Sequence, residues 1–263
     1  MAKTEHYYTR FENDGIYHVY NRTVDRKPMF TSDENYAFFI RQFDKYLSDY
    51  VKIYAYNLLG NHFHFMIKIN DLTDLTTIEK DIDLTTFGKL SNLDELSNLK
   101  QKTFEKDIDL TTFGKLSNLG KLSNLGKLSN LDELSNLKQK TTHDIVSHQF
   151  KKFFQSYAMA FNKQQNRIGT LFQTPFKRVR VVDENYFREL TCYINTNAQK
   201  HTLVDDFKKW KWSSYHSTIS NKKTKLLKAE LIGYFDSIAN FTYCHHEYAN
   251  KIEAVERDFF IED

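Results

Sequence analysis

Between residues 78 and 141 the chain repeats itself, and that repeat decides how the rest must fold. The segment Ile78–Thr103 recurs at Phe104–Thr141. The copies match after the first residue, apart from two further Gly-Lys-Leu-Ser-Asn-Leu hexamers. Within it leucines fall at every third position, Leu116, Leu119, Leu122, Leu125, Leu128 and Leu131. On a helix of about 3.6 residues per turn such a row drifts around the cylinder and builds no lasting apolar stripe. Gly120 and Gly126 weaken a helix by about 1 kcal/mol each. Residues 72–142 therefore read as an expanded low-complexity insertion, marginally helical at best and outside the chemistry, with a coiled-coil or oligomerisation arm as the alternative. The core must come from the flanks. Residues 1–71 and 143–219 are expected to form one domain across the insertion, and residues 220–263 a small helical extension.

The flanks are regular. Ile16–Val24 alternates and is rich in Tyr and Val, as a strand requires. Asp33-Glu34-Asn35 opens an amphipathic helix, Tyr36–Leu47, with Phe39, Phe43 and Leu47 along one face. Val51–Leu59 and His62–Ile69 read as strands joined by the short turn at Gly60-Asn61. Beyond the insertion, Ile145–Lys163 reads as a helix and Phe176–Val182 as a strand. Asp183 then caps a helix from Glu184 to about Asn197. This order predicts an α+β fold, the ferredoxin-like split βαβ arrangement, with one appended helix. Helices are expected over Lys225–Phe235 and near Glu247–Asp258.

Charge is uneven. The net charge is only +3. Asp144–Trp212 nevertheless carries 12 Lys or Arg against 6 Asp or Glu, whereas Thr224 onward carries 4 against 8. Basic side chains mixed with aromatic ones suit a phosphate backbone with bases to stack, and they equally suit an ordinary solvated face. Two cysteines, Cys192 and Cys244, are too few for a disulfide framework and point to a reducing compartment. No apolar leader follows Met1 and no apolar run approaches the roughly 20 residues of a membrane span. A soluble, cytoplasmic protein is expected.

Two local patterns carry chemistry. In His62-Phe63-His64-Phe65 the strand alternation sends both imidazoles to one face and both phenyl rings to the other. Imidazoles with Cα atoms about 7 Å apart can converge on one divalent cation, and such a pair also arises on strand faces without a metal. In Leu190–Asn197, Tyr193 and Asn197 stand four residues apart on one helical face, a spacing that offers a nucleophilic phenol and an amide oxygen together. A half-buried tyrosine followed by an Asn helix cap is the alternative.

Taken in order, these segments resemble a family. Gly15-Ile-Tyr-His-Val-Tyr-Asn-Arg22, Tyr54-Ala-Tyr56 and Asn61-His-Phe-His-Phe-Met-Ile67 look like the HUH endonuclease fold of single-tyrosine transposases. Within that group the chain is most similar to the bacterial REP-associated tyrosine transposases. Further matches are Ser156-Tyr157, Phe161-Asn162, Arg167–Gln173, Phe176-Lys177, Tyr193-Ile194 with Asn197, and Trp212-Ser-Ser-Tyr215.

The resemblance implies a metal-dependent enzyme that cuts and rejoins single-stranded DNA and hairpins from short palindromic repeats. His62 and His64 would hold Mg²⁺ or Mn²⁺, with Asn197 as third ligand. Tyr193 would attack phosphorus, leaving a 5′-phosphotyrosine and a free 3′-hydroxyl, so that rejoining needs no ATP. Arg22, Lys177, Arg178 and Arg180 are the expected phosphate contacts. A monomer or homodimer is expected, acting at the bacterial nucleoid, with no membrane partner. Three positions depart from the pattern, in two places. Gly60 stands where relatives carry Pro, and Tyr193-Ile-Asn195-Thr-Asn197-Ala198 replaces Tyr-Ile-His-x-Asn-Pro. A domesticated or inactive hairpin-binding protein is the alternative reading. His245-His246-Glu247 reads as a solvated helix surface, with a second metal site as the rival.

Overall fold

The computed structural model describes residues 7–73 and 141–252. The chain divides into one unit of Met1–Leu72 with Thr142–Asp263 and a second of Thr73–Thr141. The expectations for the repeat, and for the helix beyond residue 252, lie outside the described residues. In the first unit the order is β1 (Ile16–Arg22), α1 (Asp33–Leu47), β2 (Val51–Leu58), β3 (His62–Ile69), α2 (Thr142–Gln164), β4 (Lys177–Arg180) and α3 (Glu184–Lys200). Short helices α4 (Tyr215–Ile219) and α5 (Lys228–Gly233) follow, then α6 (Ile238–Ile252). The strands form one sheet in the order β2-β3-β1-β4, with every pairing antiparallel. This is the ferredoxin-like α+β arrangement.

Strand alternation sorts the side chains onto two faces. On one, Phe63 and Phe65 of β3 meet Phe39 and Phe43 of α1 and Phe153 of α2; the Phe43–Phe65 and Phe39–Phe153 centroids are 4.5 and 4.8 Å apart. Tyr157 of α2 closes this aromatic layer and donates its hydroxyl to the Met29 carbonyl at 2.7 Å. The opposite face carries the histidines and is covered by α3. Asp183 caps α3 by accepting from the Tyr186 amide, and the helix runs to Lys200, almost a turn past the expected end. Asn197 is thus a helix-interior residue and no terminal cap; the chain turns only at Thr202, which adopts φ 54°.

The C-terminal helices pack onto α3. Phe187, Cys192 and Tyr193 share one buried cluster with Leu231, Phe235, Phe241 and Ala249. The last helix begins at Ile238, nearer the chain's middle than the Glu247 expected from sequence, because Ser237 accepts the Asn240 amide and starts it. Among the described residues no helix is long and apolar enough to cross a membrane.

Candidate functional site

The histidine face owes its layout to register. His64 of β3 lies opposite Tyr20 of β1, which lies opposite Lys177 of β4; on the other side His64 faces Asn57 of β2. One step along, His62 faces Arg22. A single row across the sheet therefore carries an amide, an imidazole, a phenol and an ammonium group. Tyr20, Asn21, Arg22, His62, His64, Gln173 and Lys177 line a groove. Lys177 Nζ sits 5.5 Å from the centre of the Tyr20 ring, a cation–π contact beside the histidines.

Above this row, α3 presents Tyr193. Its ring meets His64 edge-to-face at 5.4 Å and His18 at 6.3 Å, and Lys200 Nζ stands 5.1 Å from its centre. Asn57 Nδ2 donates to the Ile194 carbonyl at 2.7 Å and ties this turn of α3 to β2. One turn on, Asn197 is wholly buried, and neither its Oδ1 nor its Nδ2 has a hydrogen-bond partner among the described residues. A buried amide left so costs roughly 1–3 kcal/mol. It is the kind of group a fold retains for a ligand.

The imidazoles are held as well. Asn61 Nδ2 donates to the Arg26 carbonyl at 2.7 Å, which turns its Oδ1 to His62 Nδ1 at 2.6 Å. An amide oxygen only accepts, so in the neutral ring Nδ1 of His62 carries the proton and Nε2 the lone pair. His64 Nδ1 faces His18 Nε2 at 2.9 Å. The ring centroids of His62 and His64 are 5.3 Å apart, and that of His201 is 4.8 Å from His62. Among the described residues no group of three or more His, Cys, Asp or Glu is arranged to hold a metal. The groups of this face that could donate to a cation are the imidazoles of His62 and His64 and the stranded amide of Asn197.

Of the expected phosphate contacts, the structure brings Arg22 and Lys177 to the groove, and Arg22 Nε there is buried without a hydrogen bond to any of the described residues. It does not bring Arg178 and Arg180. Arg178 donates from Nε to the Thr9 carbonyl at 2.8 Å and lies over the Phe11 and Phe176 rings; burial pulls its guanidinium below the usual arginine range. Arg180 pairs with Glu12. Strand alternation explains the split, since Lys177 shares the face of Tyr20 while its neighbour points to the other layer.

The Asn195 departure has a structural counterpart. Asn195 Nδ2 meets His245 Nε2 at 3.0 Å, while its Oδ1 accepts from Ser214 Oγ at 2.8 Å. Ser214 in turn exchanges bonds with the Tyr56 backbone. His245 is wholly buried, hydrogen-bonded from Nδ1 to the Phe241 carbonyl, and burial lowers its pKa to about 4. Both readings of His245 made from sequence are thereby corrected: it is neither solvated nor a metal ligand, because α6 packs it against α3 with both nitrogens engaged. Sequence reasoning assigned no role to His18, Tyr20, Gln173 or His201. The alternation of β1 places His18 and Tyr20 on the face of Arg22, and that was the available signal.

No family model and no curated protein matches the chain. A solved REP-associated tyrosine transposase bound to a REP hairpin is similar at a TM-score of 0.43 and 13% identity, over 81% of this chain and 85% of that one.

Proposed function

We propose that this protein is a metal-dependent strand transferase that cuts and rejoins single-stranded or hairpin DNA through a phosphotyrosine at Tyr193. The observation that carries the reading is Asn197, a buried amide without a partner among the described residues, one helical turn beyond a tyrosine that packs on His64. His62, His64 and Asn197 would hold Mg²⁺ or Mn²⁺, which when bound supplies Lewis-acid polarisation of the scissile phosphate.

The chain's own residues have the remaining work. Arg22 and Lys177 offer positive charge at the groove, where a phosphodiester backbone would lie. The Tyr193 oxygen attacks phosphorus; the phosphotyrosyl bond forms, the bond to the 3′ oxygen breaks, the phenol loses its proton and the departing 3′ oxygen gains one. Reversal by another 3′-hydroxyl rejoins strands at no cost in ATP, since the covalent link conserves the ester. Tyr193 is 1% exposed and does not line the groove, so attack needs its side chain to rotate or α3 to shift. That burial also favours a second reading, a hairpin-binding protein that does not cut.

The two separate in one assay. Hairpin-bearing single-stranded DNA incubated with the protein and Mn²⁺ is expected to give a covalent adduct that Tyr193→Phe abolishes. No adduct, with DNA binding intact in the wild type and in His62→Ala, His64→Ala and Tyr193→Phe, would establish the binding protein instead.

A further inference from the structure

Imidazoles that ligate a cation ordinarily have their other nitrogen held by a second group, which fixes the tautomer and aims the ring. Asn61 does this for His62. His64 has a third imidazole in that place, His18, which is 1% exposed like His64 itself and 46 residues away in sequence. The ring planes are within 21° of parallel with centroids 5.2 Å apart, an arrangement compatible with a nitrogen-to-nitrogen hydrogen bond. Tyr20 stacks on both, at 4.6 and 5.5 Å, and Tyr193 closes on both edge-to-face. The pair is thus clamped from two sides.

Between two neutral rings so placed, one nitrogen donates and the other accepts. If His18 donated, His64 would carry its own proton on Nε2 and offer the groove an N–H. If His64 donates, its Nε2 carries the lone pair, and the two histidines of β3 share one tautomer on one face. We propose that His18 is a positioning residue that accepts the Nδ1 proton of His64 and so holds His64 in the tautomer able to ligate a cation through Nε2. This deepens the metal-dependent reading and rests on it for its purpose, though the tautomer itself is a property of the metal-free protein.

The test uses the full chain. Long-range ¹H–¹⁵N spectra of the metal-free protein are expected to show His64 protonated at Nδ1. In His18→Phe, which keeps a ring and removes the acceptor, that form should give way to protonation at Nε2. His18→Gln, whose Oε1 can reach the position of the lost Nε2, should restore it. Mn²⁺ titrated into the same three proteins should bind 10–100-fold more weakly to His18→Phe and within a few-fold of wild type to His18→Gln. A merely structural role would instead make metal affinity follow thermal stability in both variants. Wild-type His64 protonated at Nε2, or an unchanged tautomer in His18→Phe, overturns the proposal. Expected tautomers without Mn²⁺ binding would support the positioning role while sinking the metal reading.

Discussion

Replacing Asn197 with leucine should make this protein more stable and less able to bind metal. Leucine keeps the branched four-atom skeleton of asparagine, but its methyl groups are larger, so at 0% exposure some overpacking offsets part of the gain. What disappears is an amide whose two polar atoms have no partner among the described residues, a burden of roughly 1–3 kcal/mol. Without metal, Asn197→Leu should therefore unfold at higher urea concentration, with a melting temperature raised by about 2–4 °C per kcal/mol. Metal should reverse the comparison. A ligand at about 100 times its Kd stabilises its native protein by about 2.7 kcal/mol, and the variant should forfeit much of that. Urea unfolding followed by the fluorescence of Trp210 and Trp212, in EDTA and again in Mn²⁺, reads both effects. A variant less stable than wild type in EDTA would show that relief of the stranded amide does not outweigh the overpacking, and would refute the reasoning. An undiminished stabilisation by Mn²⁺ would remove Asn197 from the ligand set.

Three more outcomes are expected. His245 should confer acid sensitivity: its folded pKa is depressed to about 4, so the unfolded chain takes up a proton first as pH falls below about 6.5. Its stabilisation is then complete above pH 6.5 and lost between there and pH 4, about 3 kcal/mol in all; denaturation across that range should show a slope that His245→Phe lacks. Lys177→Ala should lower the salt dependence of single-stranded DNA binding by about 0.7 in the log–log slope, whereas Arg180→Ala, already paired with Glu12 on the other face, should leave it unchanged in a fluorescence-anisotropy titration. Tyr157→Phe strands the Met29 carbonyl in the aromatic layer and should cost about 1–3 kcal/mol by chemical denaturation without altering the histidine face.

The His245 network shows how the C-terminal helices bear on the candidate site. Asn195 lies midway between Tyr193 and Asn197 in sequence, yet its side chain is spent on α6 and on Ser214. The helix that carries the phenol is thereby fastened on one side to α6 and on the other, through Asn57, to the sheet. Any movement that brings Tyr193 to the groove must work against these fastenings.

Much of the frame was legible in the sequence because its signals are local. Alternation over Ile16–Val24 and His62–Ile69, the amphipathic run ending at Leu47 and the Asp183 cap each depend on neighbours within a turn or two. The same locality put Phe63 and Phe65 in one layer and His62 and His64 in the other, and it set Tyr193 and Asn197 one helical turn apart. What the sequence left open was decided by strand register and helix packing, which join residues far apart in the chain. Lys177 and Arg178 are neighbours of like charge, and only the pairing of β4 with β1 sends one to the groove and the other beneath Thr9. His18 reaches His64 across two strands, and Asn197 is stranded because α3 continues past it and lies on the sheet. Hydrogen bonding and burial are properties of that assembled layer, so the partners of a buried polar group appear only once the layers have closed.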